Sequence, residues 1–149
     1  YEEGLKRKET ETEGRETAHM KKYKGSRLTD DEKQYIEGRI IDLIDNSDEI
    51  YSSDFSLERM AQLIGVPTKH VSQVINERYQ CNFNTFINRY RIHEACRRIN
   101  NTAHYGNYTL EAISRSVGFR ARSSFIVTFK AFTGMTPSEY QRISKSKNK

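Results

Sequence analysis

The sequence predicts an all-α chain: two helix-turn-helix subdomains joined by a long linking helix, preceded by an extra N-terminal helix and a polar linker. Three observations carry that expectation. The first is an internal echo at an offset of 53 residues, in which Leu57, Met60, Ala61, Ile64 and Gly65 align with Leu110, Ile113, Ser114, Val117 and Gly118. In both copies apolar residues fall at helical spacing, a small residue admits a second helix, and a glycine closes the first helix through a left-handed turn. The second is the run from Asn84 to Ile99, whose apolar residues occupy more than one stripe, as in a helix buried from two sides. The third is that no segment of useful length alternates with the strand period of two.

Taken in order, residues 1–26 hold only Leu5 and Met20 as large aliphatic or thioether side chains, beside seven basic and six acidic residues. That is too little apolar surface to offset chain ordering, so a flexible linker is expected. It holds no run long enough for a signal peptide or membrane span, and the start at Tyr1 suggests a piece of something longer. Residues 27–54 are expected to form an acidic amphipathic helix and its connection. Thr29 and Glu32 have the form of a capping box, followed by the stripe Tyr35, Ile36, Ile40, Leu43 and Ile44. The spacing places this helix over about 30–45, and its acidic face should keep it away from phosphates.

The two-headed part is expected over 55–143. Its first helix-turn-helix spans 56–78, with helices at Leu57–Ile64 and Thr68–Glu77, and the linking helix spans 84–99. A polar turn region follows from Asn100 to Tyr108. The second helix-turn-helix covers 109–133: Thr109 caps a helix from Leu110 to Val117, and Arg122–Thr133 carries Phe125, Phe129 and Phe132 inward before Gly134. Thr136, Pro137 and Glu139 then open a last helix over 137–143, and 144–149 is a basic tail expected to fray.

Charge separates these segments. Residues 27–54 hold three basic against nine acidic side chains, whereas residues 55–149 hold fifteen against five. A positive excess confined to the paired motifs is the electrostatic footprint of a polyanion partner, most often nucleic acid. Enzyme chemistry finds no support: there is no glycine-rich phosphate loop, no His-Glu-x-x-His and no nucleophile elbow. Cys81 and Cys96 lack zinc-ligand spacing and the four histidines are scattered, so no catalytic residue, metal or cofactor is expected.

In a helix-turn-helix the second helix enters the major groove. With Val71, Val74 and Ile75 turned inward, Lys69, Ser72, Gln73 and Asn76 are left for bases and phosphates, and Gln or Asn can pair bidentately with adenine. In the second unit the candidates are Arg122, Ser123, Ile126, Val127 and Lys130, with Arg122 suited to guanine or a phosphate. A sixteen-residue linking rod of roughly 24 Å could hold two such heads about one DNA turn apart. The apolar pair Ile126–Val127 and the acidic helix leave a second possibility open, a module that binds protein.

From Ser56 to Arg142 the chain resembles the DNA-binding domain of the AraC/XylS family of bacterial transcription regulators. The resemblance rests on Ala61 and Gly65, on Asn82-Phe83, Phe86, Arg91 and Ala95, and on the closing run from Gly118-Phe119 through Thr133-Gly134-Met135-Thr136-Pro137-Ser138-Glu139-Tyr140. It implies seven helices in two subdomains and binding of double-stranded promoter DNA, usually to activate transcription through RNA polymerase. The family's base-reading positions fall on Lys69, Ser72, Gln73, Arg122, Ser123 and Val127, and Arg91 matches a family arginine of the linking helix. Pro67-Thr68, Ser114 and Ile126-Val127 depart from the family pattern. Residues 22–51 further resemble a Bacteroidetes-type subgroup in which this domain follows a sensor module. That resemblance implies a cytoplasmic output piece, an upstream sensor domain in the same polypeptide, homodimerisation of the full-length protein and, in some arrangements, a membrane anchor.

Overall fold

Capping side chains set where the helices begin, and left-handed turns set where several of them end. The computed structural model describes residues 27–147, so the linker expected at 1–26 and the last two residues of the tail lie outside the described residues. Eight α-helices and no strand occur among the described residues. They are α1 (Asp30–Asn46), α2 (Leu57–Ile64), α3 (Thr68–Tyr79), α4 (Phe83–Asn100), α5 (Thr102–Tyr105), α6 (Leu110–Ser116), α7 (Arg122–Thr133) and α8 (Pro137–Lys147), with a 3-10 turn at Glu49–Tyr51. The all-α expectation therefore holds. Most boundaries fall within two residues of those expected, and two differ more: α5 forms a single turn inside the expected polar loop, and α8 continues four residues into the expected tail. The Asn101 side chain caps α5 by accepting from the His104 N–H, and Ser144 holds the end of α8 by donating to Asn100 Oδ1 at 2.6 Å.

Two compact units form. The first contains the described part of Tyr1–Asn46 together with Ser56–Phe83; the second contains Ser47–Phe55 together with the described part of Asn84–Lys149. The acidic segment expected as one piece over 27–54 is thus divided after Asn46.

In the first unit α1 opens with the capping box read from sequence, Thr29 N–H to Glu32 Oε1 at 2.7 Å and Glu32 N–H to Thr29 Oγ1 at 3.1 Å. Ile36, Ile40 and Ile44 are its buried stripe, while Tyr35, expected in that stripe, is 47% exposed and its hydroxyl accepts from Arg39. Ser56 caps α2 through the Arg59 N–H, and Gly65, at φ 77°, ends it with its own N–H on Ala61 O. Met60, Val71, Val74 and Ile75 are fully buried. The helix α1 packs on both α2 and α3.

Polar groups suture α1 to α3. Lys33 Nζ lies 2.7 Å from Glu77 Oε1, the Tyr79 hydroxyl donates to Glu37 Oε2 at 2.7 Å, and Arg78 stands 3.7 Å from the same carboxylate. Burial pushes the Glu77 pKa up, but bonds from Lys33 and Gln73 outweigh it and hold the carboxyl below its ordinary value.

The second unit is built on a core of Ile92, Ala95, Ile99, Ile113, Val117, Phe119, Phe125 and Phe129. Its rings run edge to face, with centroids 5.3 Å apart for Phe119–Phe125, 5.6 Å for Phe125–Phe129 and 5.5 Å for Phe129–Tyr140. Phe132, expected to join this core, is 38% exposed and lies under the Arg89 guanidinium. The strap Ser47–Phe55 is tied down by arginines: Arg91 Nε donates to Ile50 O at 2.7 Å and its Nη2 to Ser52 O at 2.8 Å, while the Arg98 guanidinium covers the Tyr51 ring. Gly118 sits at φ 107° directly against Arg91, where an added Cβ would stand 2.6 Å from Nε. Thr136 and Glu139 form the second capping box, opening α8 at Pro137.

Two consequences are measurable. Gly118→Ala is expected to destabilise the chain by about 1–3 kcal/mol through backbone strain. Combined with Arg91→Ala it should cost less than the two single changes together, because both side chains claim one space; additive denaturation midpoints would contradict the close approach. Because the folded state holds Glu77 below its unfolded pKa, the stability it contributes is lost as pH falls through that lowered value. Glu77→Gln should therefore flatten the acid limb of the stability profile, and identical limbs in variant and parent would refute the role given to Lys33 and Gln73.

Candidate nucleic-acid interface

A surface that reads DNA needs polar or apolar groups facing base edges, flanked by cations for phosphates. On α3 this requirement meets the burial pattern of the helix. Lys69 is exposed, and Ser72 and Asn76 are partly exposed, at the i, i+3, i+7 spacing of one helical face. Gln73 is not on that face. It is 3% exposed, and its Nε2 donates at 3.2 Å to Glu77 Oε2, the carboxylate that Lys33 also holds. The expectation that Gln73 reads bases is corrected. Its flank of α3, with His70 also buried at 2%, is the one sutured to α1.

Arg91, expected from the family match to be a DNA-binding residue, also turns inward. The residue is 9% exposed, burial lowers its pKa, and two strap carbonyls of the second unit accept from it. A family position in the linking helix could be aligned from sequence, but the carbonyls that claim it could not.

On α7 three of the candidate residues, Ser123, Val127 and Lys130, come together on one side. Arg122, Ser123, Val127 and Lys130 are all exposed, with Ser123, Val127 and Lys130 at i, i+4, i+7. Ile126 separates from its neighbour Val127: it is partly buried and lines a groove of about 220 Å³ with Leu110, Phe125, Arg122 and Pro137. Arg120, which sequence reasoning did not single out, precedes this helix and donates to Ser53 O at 3.3 Å and to Asp54 Oδ1 at 3.2 Å. Only its position in the turn before α7 could have drawn notice.

Among the described residues no group of His, Cys, Asp and Glu is arranged to hold a metal ion, and no helix is long and apolar enough to cross a membrane.

Comparison with known proteins places this geometry. A family model described as a helix-turn-helix domain matches residues 60–143. HTH-type transcriptional regulators of Staphylococcus aureus, from strains COL and N315, are each 32% identical over 91 residues. The match covers 61% of this chain but 12% of either relative, so the chain spans a small part of the length of the curated relatives it matches. In fold it is similar to a DNA-binding transcriptional dual regulator from Escherichia coli K-12, with TM-score 0.62, 22% identity, and coverage of 74% of this chain and 93% of that one. It is similar also to the C-terminal domain of AraT, a response regulator from Geobacillus stearothermophilus, with TM-score 0.61, 21% identity, and coverage of 79% and 88%. The family match fills more than half of the sequence, and the chain belongs to the AraC-type helix-turn-helix family of DNA-binding transcription regulators.

Proposed function

We propose that this chain is the output part of a longer bacterial regulator, binding double-stranded promoter DNA sequence-specifically with α3 and α7 in successive major-groove segments. The observation that supports this most is the pairing of two outward strips. One is Lys69, Ser72 and Asn76 on α3; the other is Arg122, Ser123, Val127 and Lys130 on α7. Both lie in the part of the chain that carries the positive excess. Asn76 is suited to adenine, Arg122 to guanine or a phosphate, and Lys69 and Lys130 to phosphates. In this reading an upstream sensor domain of the same polypeptide supplies the signal, the full-length protein forms a homodimer with its output part in the cytoplasm, and the promoter-bound form activates through RNA polymerase. Solved relatives that are C-terminal domains of response regulators support the sensor–output arrangement.

Binding to duplexes selected from a random library, followed over a salt series, tests the reading. Affinity should fall steeply with salt while a preference for selected sequences persists; a flat response would favour a protein-binding module instead. Arg122→Ala should weaken binding at one end of the site, by about 1–3 kcal/mol if it reads guanine. Gln73→Ala should behave differently, lowering stability by about 0.5–1.5 kcal/mol while leaving the preferred bases unchanged. A shift in preferred bases for the Gln73 variant would overturn its placement against α1.

A further inference from the structure

The α7 strip contains a side chain that neither the core nor phosphate binding explains. Val127 is 69% exposed, more than the other exposed large apolar side chains among the described residues, namely Tyr35, Tyr108, Phe132 and Ile143. Ile126 beside it is partly buried against its groove, so the apolar character of the pair resolves into one packed residue and one presented residue. A β-branched residue on the open face of a helix has poorer propensity than the straight-chain residues that usually occupy such faces. Val127 also lies mid-strip, one turn from Ser123 and one from Lys130.

We propose that Val127 makes the second head selective for a 5-methylpyrimidine, in ordinary DNA a thymine, at one position of the site. This inference rests on the DNA-reading function proposed above and names what one of its residues recognises. The major-groove edges of A, G and C offer only donors and acceptors, whereas thymine adds the C5-methyl group. Valine has no group to satisfy a donor or acceptor, so burying one against it costs free energy, while burying a methyl against it gains. Its χ1 is nearly fixed within a helix, so the two methyl groups are presented with little entropy left to lose. Lys130, one turn along the same face of α7, favours a phosphate-bearing occupant of this face over an apolar protein surface.

The test removes one methyl group at a time. A duplex selected by the whole chain is remade with deoxyuridine in place of each thymine in turn, which keeps every Watson–Crick and O4 contact. Wild-type binding should weaken about fourfold at one thymine, the value of one buried methyl group, within the end of the site that Arg122→Ala affects. Placing cytosine there and then 5-methylcytosine should recover a similar factor. Val127→Ala, at an exposed site where folding is undisturbed, should bind thymine and deoxyuridine duplexes alike. Equal wild-type affinity for both at every position would overturn the proposal, as would an undiminished deoxyuridine penalty in the variant. Failure to select any sequence at all would overturn the DNA-reading function as well, whereas a selected site lacking a methyl dependence removes only the role of Val127.

Discussion

The second unit depends on a buried guanidinium. Arg91 donates to Ile50 O and Ser52 O at 2.7 and 2.8 Å, tying down the short 3-10 turn and the residue after it, where Ser52 O also accepts from the Phe55 N–H. A charge placed at that depth is tolerable because its donors are matched by carbonyl oxygens. The consequence reaches into the second helix-turn-helix: the guanidinium lies against Gly118, so the turn after α6 has no room for a side chain. Phe119 follows at once into the aromatic core, and Arg120 ties back to the strap at Ser53 and Asp54. Anchoring the strap and setting the path of the chain into α7 are one packing event.

The first unit solves a parallel problem with a different set of residues. Its helix α3 is flanked by α1, and the contact is partly polar through Lys33–Glu77 and Glu37 with Tyr79 and Arg78. Such part-exposed pairs contribute little individually, about 0.2–1 kcal/mol, so the burial of Ile36, Ile40 and Ile44 holds α1 while the polar pairs set its register. The cost is a narrower outward polar strip on α3, on whose flank Gln73 is buried. The outward strips therefore differ in chemistry: α3 presents Lys69, Ser72 and Asn76, and α7 presents Ser123 and Lys130 around an exposed valine.

Much of this was legible in the sequence because the signals were local. Capping boxes at Thr29–Glu32 and Thr136–Glu139, left-handed glycines at Gly65 and Gly134 and the inward phenylalanines Phe125 and Phe129 all follow from spacing within one turn of helix. The placements that differed depend on packing that spacing alone does not report. Gln73 is left outward once Val71, Val74 and Ile75 are turned inward, but it is buried and bonded to Glu77, whose carboxylate Lys33 of α1 also holds. Arg91 matches a family arginine of the linking helix, and the strap carbonyls that accept from it lie some forty residues earlier. Phe132 lies outside the core because the next turn after Phe125 and Phe129 emerges toward Arg89.

Missing-base interference at single-nucleotide resolution on a selected duplex tests the proposed reading of DNA by both α3 and α7. Two clusters of required bases with centres about 10 bp apart are expected, one for α3 and one for α7. A single cluster, or uniform protection without required bases, would contradict a reader with two heads.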